Sequence, residues 1–336
     1  MTGLIGERTP GLPDDRLDDR VDDVPAATGG VGGAPLVSIG LPVHNGEQYL
    51  AASIDSLLGQ TYANIELIIC DNASDDRTQE ICERYAANDA RVRYHRNEHN
   101  IGGARNHNLT FDLARGTYFR WAAHDDLAEP ELIERCVEVL ESRPDVVLCH
   151  TDFVQIDAAG AVTGHISRNH CASPRPAERF ASMAEARDFC EETYGLIRAD
   201  IFGQTDLQKD YTGSDRTLMC ELALHGRFAN VEQCLFRKRL HGANEYIDWR
   251  TRMAWFGDEY KGRIVFPWWT QLADYLRVIT RVPLTSRERR RCHLYMARWV
   301  ATHSPKLAKD VLVATMMASR TRSRRLSQFS ETENWA

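Results

Sequence analysis

A chain of 336 residues, 43% hydrophobic and 26% charged, has an ordinary globular composition, so collagen-like and wholly disordered chains are excluded. Its 41 basic and 48 acidic side chains leave a net −7, the wrong sign for a nucleic-acid binder held by overall charge. No apolar run approaches the roughly 18 residues of a membrane-spanning helix, and MTGLIGERTPGLPDDR lacks the basic-then-apolar pattern of a secretory signal.

Residues 1–34, where LDDRVDD precedes TGGVGGAP, have no apolar periodicity and read as a disordered acidic leader. From Leu36 onward, strand and helix patterns alternate. LVSIGL (36–41) is a short apolar run closed by Pro42 and Asn45, and EQYLAASIDSLLGQ (47–60) has helical spacing. IELIIC (65–70) is a second buried strand, and Ser74 is placed to cap a helix from Asp75. RVRYHR (91–96), a helix at 103–114 and TYFRWAA (117–123) follow, the last ending at His124-Asp125-Asp126. A helix at 131–142 and the strand DVVLCHT (145–151) complete this half. The alternation predicts an α/β fold with a mostly parallel sheet covered on both faces. In such sheets ligands bind beyond the carboxyl ends of the strands, here at PVHNG, DNAS, NIGGARN and AAHDD.

After residue 152 the pattern weakens. It predicts a hairpin turning at Gly160, a helix near 177–191, a helix at 215–225 and a strand at 229–241. Three amphipathic helical segments follow at 250–280, 286–303 and 305–318. The nine cysteines are scattered, odd in number and without a CxxC pair, which predicts reduced thiols in a cytoplasmic protein.

The turn after the first strand, PVHNGE, has a single glycine, so neither a dinucleotide fingerprint nor a Walker A loop is present. Asp125 and Asp126 offer hard oxygen ligands for Mg²⁺ or Mn²⁺, which would neutralise a departing diphosphate. The plainer alternative is Asp126 as a helix cap. Asp215, beside Ser214 at a helix start, is open to the same two readings. Trp121 and Trp249 suit either a core position or stacking on a sugar or base.

VSIGLPVHNGEQYLAASIDSLLGQTYANIELIICDNASDDRT, NIGGARN and YFRWAAHDD occur here in one order, and the segment 36–157 resembles a family 2 glycosyltransferase of the GT-A fold. The resemblance continues more loosely through GSDRTLMCELALHGRF and FRKRLH to His241. It implies an inverting transferase that moves a sugar from a nucleoside diphosphate donor, uridine-linked for preference, to a hydroxyl acceptor. Pro42, Val43 and Asn45 would cradle base and ribose, Asp71 would take a hydrogen bond from the base, and Arg105 would hold base or phosphate. Asp126 becomes the metal ligand, Asp125 a ribose or outer-sphere contact, and Asp215 the general base. Arg239 would offset diphosphate charge, and His241 would ligate the metal or touch the pyrophosphate. His124 and Ser214 stand where many relatives carry acids, which keeps a catalytically inactive nucleotide-binding scaffold as the rival reading.

The implied organisation is a nucleotide-sugar half at 35–155, an acceptor half at 156–245 and a helical extension at 246–336. The extension is basic. Its arginines suit peripheral contact with an anionic membrane face, or packing on the core or on a second copy in a homo-oligomer, and packing is the favoured expectation.

Overall fold

A computed structural model describes residues 33–186, 190–241 and 266–332, the last helix by its backbone alone beyond Met316. The leader up to residue 32, Trp249 and the helical expectation at 250–265 lie outside the described residues.

Strands β1 (Val37–Val43), β2 (Ile65–Asp71), β3 (Val92–Arg96) and β4 (Tyr118–Trp121) alternate with helices α1 (Leu50–Leu58), α2 (Thr78–Asn88) and α3 (Gly103–Asp112). They stand in the order β3-β2-β1-β4, with every neighbour parallel. There follow β5 (Leu127–Ala128), α4 (Leu132–Ser142), β6 (Val146–Ile156), β7 (Val162–Ile166) and α5 (Pro176–Glu185). A 3₁₀ turn (Glu191–Tyr194), β8 (Leu196–Arg198), α6 (Ala199–Phe202), α7 (Ser214–His225) and β9 (Arg227–Arg239) come next, then α8 (Pro267–Arg281) and α9 (Ser286–Thr332).

The sheet continues β4-β8-β6-β9-β5, with β7 pairing on β6. Because β8 is antiparallel to both β4 and β6, β6 points the same way as β4, and β9 is parallel to β6. The carboxyl ends of β1, β2, β4, β6 and β9 therefore share one edge. The register sets Ile156 opposite Arg239 and Leu127 opposite Arg237, which brings the end of β9 beside the loop after β4.

Alternation along the strands sends side chains to two cores. Ile39, Leu41 and Tyr118 pack with Leu50 and Ile54 of α1 and Ile133 of α4 on one face. Phe119 and Trp121 pack on the other with Phe180, Leu218, Tyr275 and Trp299, from α5, α7, α8 and α9. Trp121 is thus a core side chain, 0% exposed, rather than a stacking platform. Each fully buried Leu, Ile or Phe contributes about 1.5–3 kcal/mol. The described residues from Pro35 onward form one compact unit.

Helix α3 comes close to the sheet at Gly40, where an added Cβ would stand 2.3 Å from Thr110 Oγ1 and 2.8 Å from Phe119 Cζ. Gly40→Ala is expected to cost about 1–3 kcal/mol by overpacking. Denaturant unfolding reads this directly, and an unchanged midpoint would show that α3 can move away.

Two local expectations are corrected. Ser74 does not cap α2: its Oγ accepts from Asn45 N, and Asp76 Oδ1 accepts from Thr78 N at 2.9 Å instead. The helical pattern that breaks between 303 and 305 is one helix, with Pro305 inside it. Proline leaves the carbonyl four residues earlier without its donor, and the Ser304 hydroxyl donates to that Ala301 oxygen at 2.9 Å.

Candidate active site

The loop after β1 is stitched to the loop after β2. Asn45 holds φ 54°, a left-handed conformation that Asn tolerates, and its backbone N donates to Ser74 Oγ while its Oδ1 accepts from Asp75 N. Pro42 and Val43 are buried at the strand end, and Val43 O accepts from Asn72 N at 2.8 Å. Gly46 is seated against His124, because a Cβ there would come within 2.9 Å of its ring.

Asp71 is fully buried, and its carboxylate is already engaged. It accepts from Ser74 N and Tyr94 Oη, each at 2.9 Å, and is ion-paired to Arg96. The groups beside it are amides, of which Asn72, Asn97 and Asn106 are buried and Asn100 is exposed. Asn72 Nδ2 donates to Asn100 Oδ1 at 2.8 Å, while Asn72 Oδ1 accepts from Asn97 Nδ2 and from Ile101 N. Asn106 continues the chain by accepting from Asn97 and donating to Cys70 O. Sequence reading passed over these amides, although NIGGARN contains two of them.

The loop after β4 brings five groups together: His124, Asp125, Asp126, Arg239 and His241. Asp126 is 7% exposed and accepts from Arg239 N at 2.7 Å. Burial first, and then the neighbouring Asp125 charge, raise its pKa well above the carboxylate range. Asp125 Oδ2 lies 2.9 Å from His241 Nε2, although the two residues are 116 positions apart. His124 has its pKa lowered, chiefly by burial, which keeps its imidazole neutral. Arg239 is 5% exposed, and its guanidinium donates to the carbonyls of Asp125, Asp157 and Ala158 while stacking on Tyr49, 4.6 Å from the ring centre. It staples the two loops together behind the carboxylates. Tyr49 also packs 5.2 Å from the His241 ring.

Asp215 lies in the first turn of α7. Gly213, at φ 96°, holds the cap position, so Ser214 and Asp215 stand inside the first turn rather than at the cap. Asp215 Oδ1 accepts only its neighbour's amide, Arg216 N, at 2.8 Å among the hydrogen bonds described. The residue is half-buried. Tyr194, half-buried in the 3₁₀ turn, has its pKa raised by burial first, and the charges of Asp126, Asp125, Glu191 and Asp215 push it the same way.

The loop carrying Asp215 is held from two sides. Asn108 of α3 exchanges two hydrogen bonds with the backbone of Gln208, and Arg105 is ion-paired to Asp210 at 3.3 Å. From α8, Gln271 donates to Gly213 O, and Asp274 pairs with Lys209 at 2.8 Å. Tyr194 also lines a cleft that runs between α4, β6, β9 and the 3₁₀ turn. His150 Nε2 and Glu192 Oε1 are buried there with no partner among the described residues. Burial lowers the His150 pKa to about 4 and raises that of Glu192, so both groups favour their neutral forms.

Two carboxylates side by side at a strand end, one of them with its pKa raised by burial and then by the other's charge, form a donor set that a divalent cation fits. The cation's charge offsets their repulsion, and hard oxygens suit Mg²⁺ or Mn²⁺. No three His, Cys, Asp or Glu side chains converge into a closed cage among the described residues.

Residues 38–203 match the family described as Glycosyl transferase family 2. Glycosyltransferase GlyG of Streptococcus pneumoniae is 35% identical over 214 residues, covering 61% of this chain and 71% of that protein. Three further curated relatives are matched over 66%, 38% and 52% of their own lengths. Among solved structures, S. aureus TarS in complex with UDP-GlcNAc superposes with a TM-score of 0.59 at 12% identity, over 84% of this chain and 81% of that one. Mannosyltransferase PcManGT from Pyrobaculum calidifontis, in complex with GDP-Man and Mn²⁺, gives 0.53 at 15%, over 90% and 83%. At such identities the likeness is one of fold, and the fold is GT-A. A sheet of this order, the β4-end carboxylates and a likeness to GlyG that spans most of that protein lead to one assignment: the chain belongs to glycosyl transferase family 2.

Proposed function

We propose that this chain transfers a sugar, with inversion, from a nucleoside diphosphate sugar to a hydroxyl acceptor. The observation that carries the reading is the pair Asp125 and Asp126 at the end of β4, held by His241 and by Arg239 N, with a half-buried Asp215 in the first turn of α7. An in-line displacement needs cation-binding oxygens on the leaving side and a carboxylate on the attacking side. TarS is described with UDP-GlcNAc and PcManGT with GDP-Man, which supports this donor class, and the resemblance to the family favours uridine.

In this reading residues 35–155 hold the donor. The β1 loop, with Pro42, Val43 and Asn45, receives base and ribose. Asp71 acts from beneath by fixing the DNAS turn, and Arg105 braces the rim. Asp126, with Asp125 and His241 beside it, would hold Mg²⁺ or Mn²⁺, whose charge stabilises the leaving diphosphate. Arg239 adds positive charge behind the pair. Asp215 takes the proton of the acceptor hydroxyl as that oxygen bonds to the anomeric carbon. The bond from that carbon to the phosphate oxygen breaks, and its electron pair leaves with the diphosphate. The acceptor half, 156–245, contributes Glu192 to the cleft that His150 of β6 also lines, and both groups, which favour their neutral forms, suit hydroxyl groups. All nine cysteines are free and eight are buried, which supports a reducing, cytoplasmic setting.

Calorimetric titration of UDP, GDP and dTDP with and without Mn²⁺ tests the donor side. UDP is expected to bind best, with Mn²⁺ strengthening binding at least tenfold and Asp126→Ala abolishing that gain. Preference for another nucleotide would correct the donor. Binding without transfer or slow donor hydrolysis would move the chain to the inactive-scaffold reading.

A further inference from the structure

We propose that the outer face of α9 docks on an anionic lipid surface, an inference that stands apart from the reading of the active site. The helix carries eleven basic and three acidic side chains in a chain of net −7, so it is +8 and everything else is −15. Two of the three acids are turned inward. Asp310 is buried and accepts from Trp268 N, and Glu288 accepts from Ala177 N and pairs with Arg291. The solvent side is left with unopposed cations, among them Arg290, Arg298 and Lys309.

Apolar side chains stand between those cations. Leu294 is 73% exposed, Leu312 63% and Met316 58%. Arg290, Leu294 and Arg298 follow at four-residue steps, and Lys309, Leu312 and Met316 at three and four, so each set lies along one stripe. The opposite face, with Met296, Trp299 and Leu307, already fills the core shared with α8. The exposed leucines therefore contribute nothing to that packing. Trp269, 46% exposed, donates its indole N–H to Leu307 O and sits at the rim of this surface.

Single exposed apolar residues are common, but a run of them interleaved with cations is not explained by solvation. A nucleic acid or acidic glycan would engage the arginines and leave the leucines in water. A bilayer rich in anionic headgroups engages both: the cations meet phosphates while the leucines enter the acyl boundary. The contact is peripheral, since no helix among the described residues is long and apolar enough to cross a membrane.

Sedimentation of the full chain with phosphatidylcholine vesicles containing about one-third phosphatidylglycerol tests this. Binding is expected there, absent with phosphatidylcholine alone, and weakened by salt. Arg290→Gln/Arg298→Gln/Lys309→Gln should lower the partition coefficient roughly 100-fold, at about fivefold per cation. Leu294→Ser/Leu312→Ser/Met316→Ser should lower it about tenfold or more, and in both variants the melting point and UDP binding should stay unchanged, because every altered site is exposed. The proposal is overturned by failure to pellet with anionic vesicles. It is equally overturned if the serine variant binds like wild type, which would mark a polyanion site. Loss in that variant of a dimer seen by light scattering, with no vesicle binding, would assign the face to a second copy.

Discussion

Asp215→Asn is expected to lower sugar transfer by about 10²–10⁴-fold, the usual contribution of a positioned base. The substitution keeps the shape and the acceptor oxygen, so the bond from Arg216 N at 2.8 Å survives. What disappears is the ability to take a proton. The helix also loses a favourable charge in its first turn, worth about 0.3–1 kcal/mol, which is too little to unfold the chain. UDP affinity should remain within about threefold, because Asp215 is carried by α7, whereas the proposed nucleotide cradle is built from the β1 and β2 loops. Transfer at near wild-type rate would remove Asp215 from the mechanism. Joint loss of transfer, UDP binding and stability would show that it is structural.

Tyr275→Ala is expected to destabilise the fold by about 3–5 kcal/mol, as for other large-to-small changes at filled sites. Tyr275 is 0% exposed and meets Phe180 of α5 and Trp299 of α9 edge-on, each with ring centres 5.6 Å apart. Its ring therefore joins three helices to α7, which carries Asp215. The melting point should fall by on the order of 10 °C in a single transition. A separate early transition that spared UDP binding would mean that α8 and α9 fold as an independent appendage.

That second result bears on how function is distributed. Gln271 and Asp274 of α8 hold the Asp215 loop, and Arg277 pairs with Asp206 of the same loop at 2.7 Å. Helix α8 is therefore part of the wall that fixes the Asp215 loop. One face of α9 meets the core, and the other is free to meet lipid. Both uses follow from amphipathic spacing, but only burial distinguishes which residues serve which.

Much of the donor half could be read along the chain. Apolar runs in β1, β2 and β4 and helical spacing in α1 and α4 are local patterns, and their alternation limits the topology to a mostly parallel sheet. That sheet dictates where ligands bind, so HDD, DNAS and NIGGARN could be placed at its carboxyl edge before any coordinates. The pairing of β9 with β6 and β5 has no such local signature. It carries His241 to Asp125 and turns Arg239 from an expected phosphate ligand into a clamp on three carbonyls. Asp71 was legible as an acid at a strand end. Its commitment to Tyr94 and Arg96 depended on β3 lying beside β2. The sequence by itself determined which residue types stand at which strand ends, because period and turn chemistry are properties of neighbours in the chain. Only the tertiary structure decided which of those groups are free to act, because charges and hydrogen bonds are satisfied by whatever comes near in space.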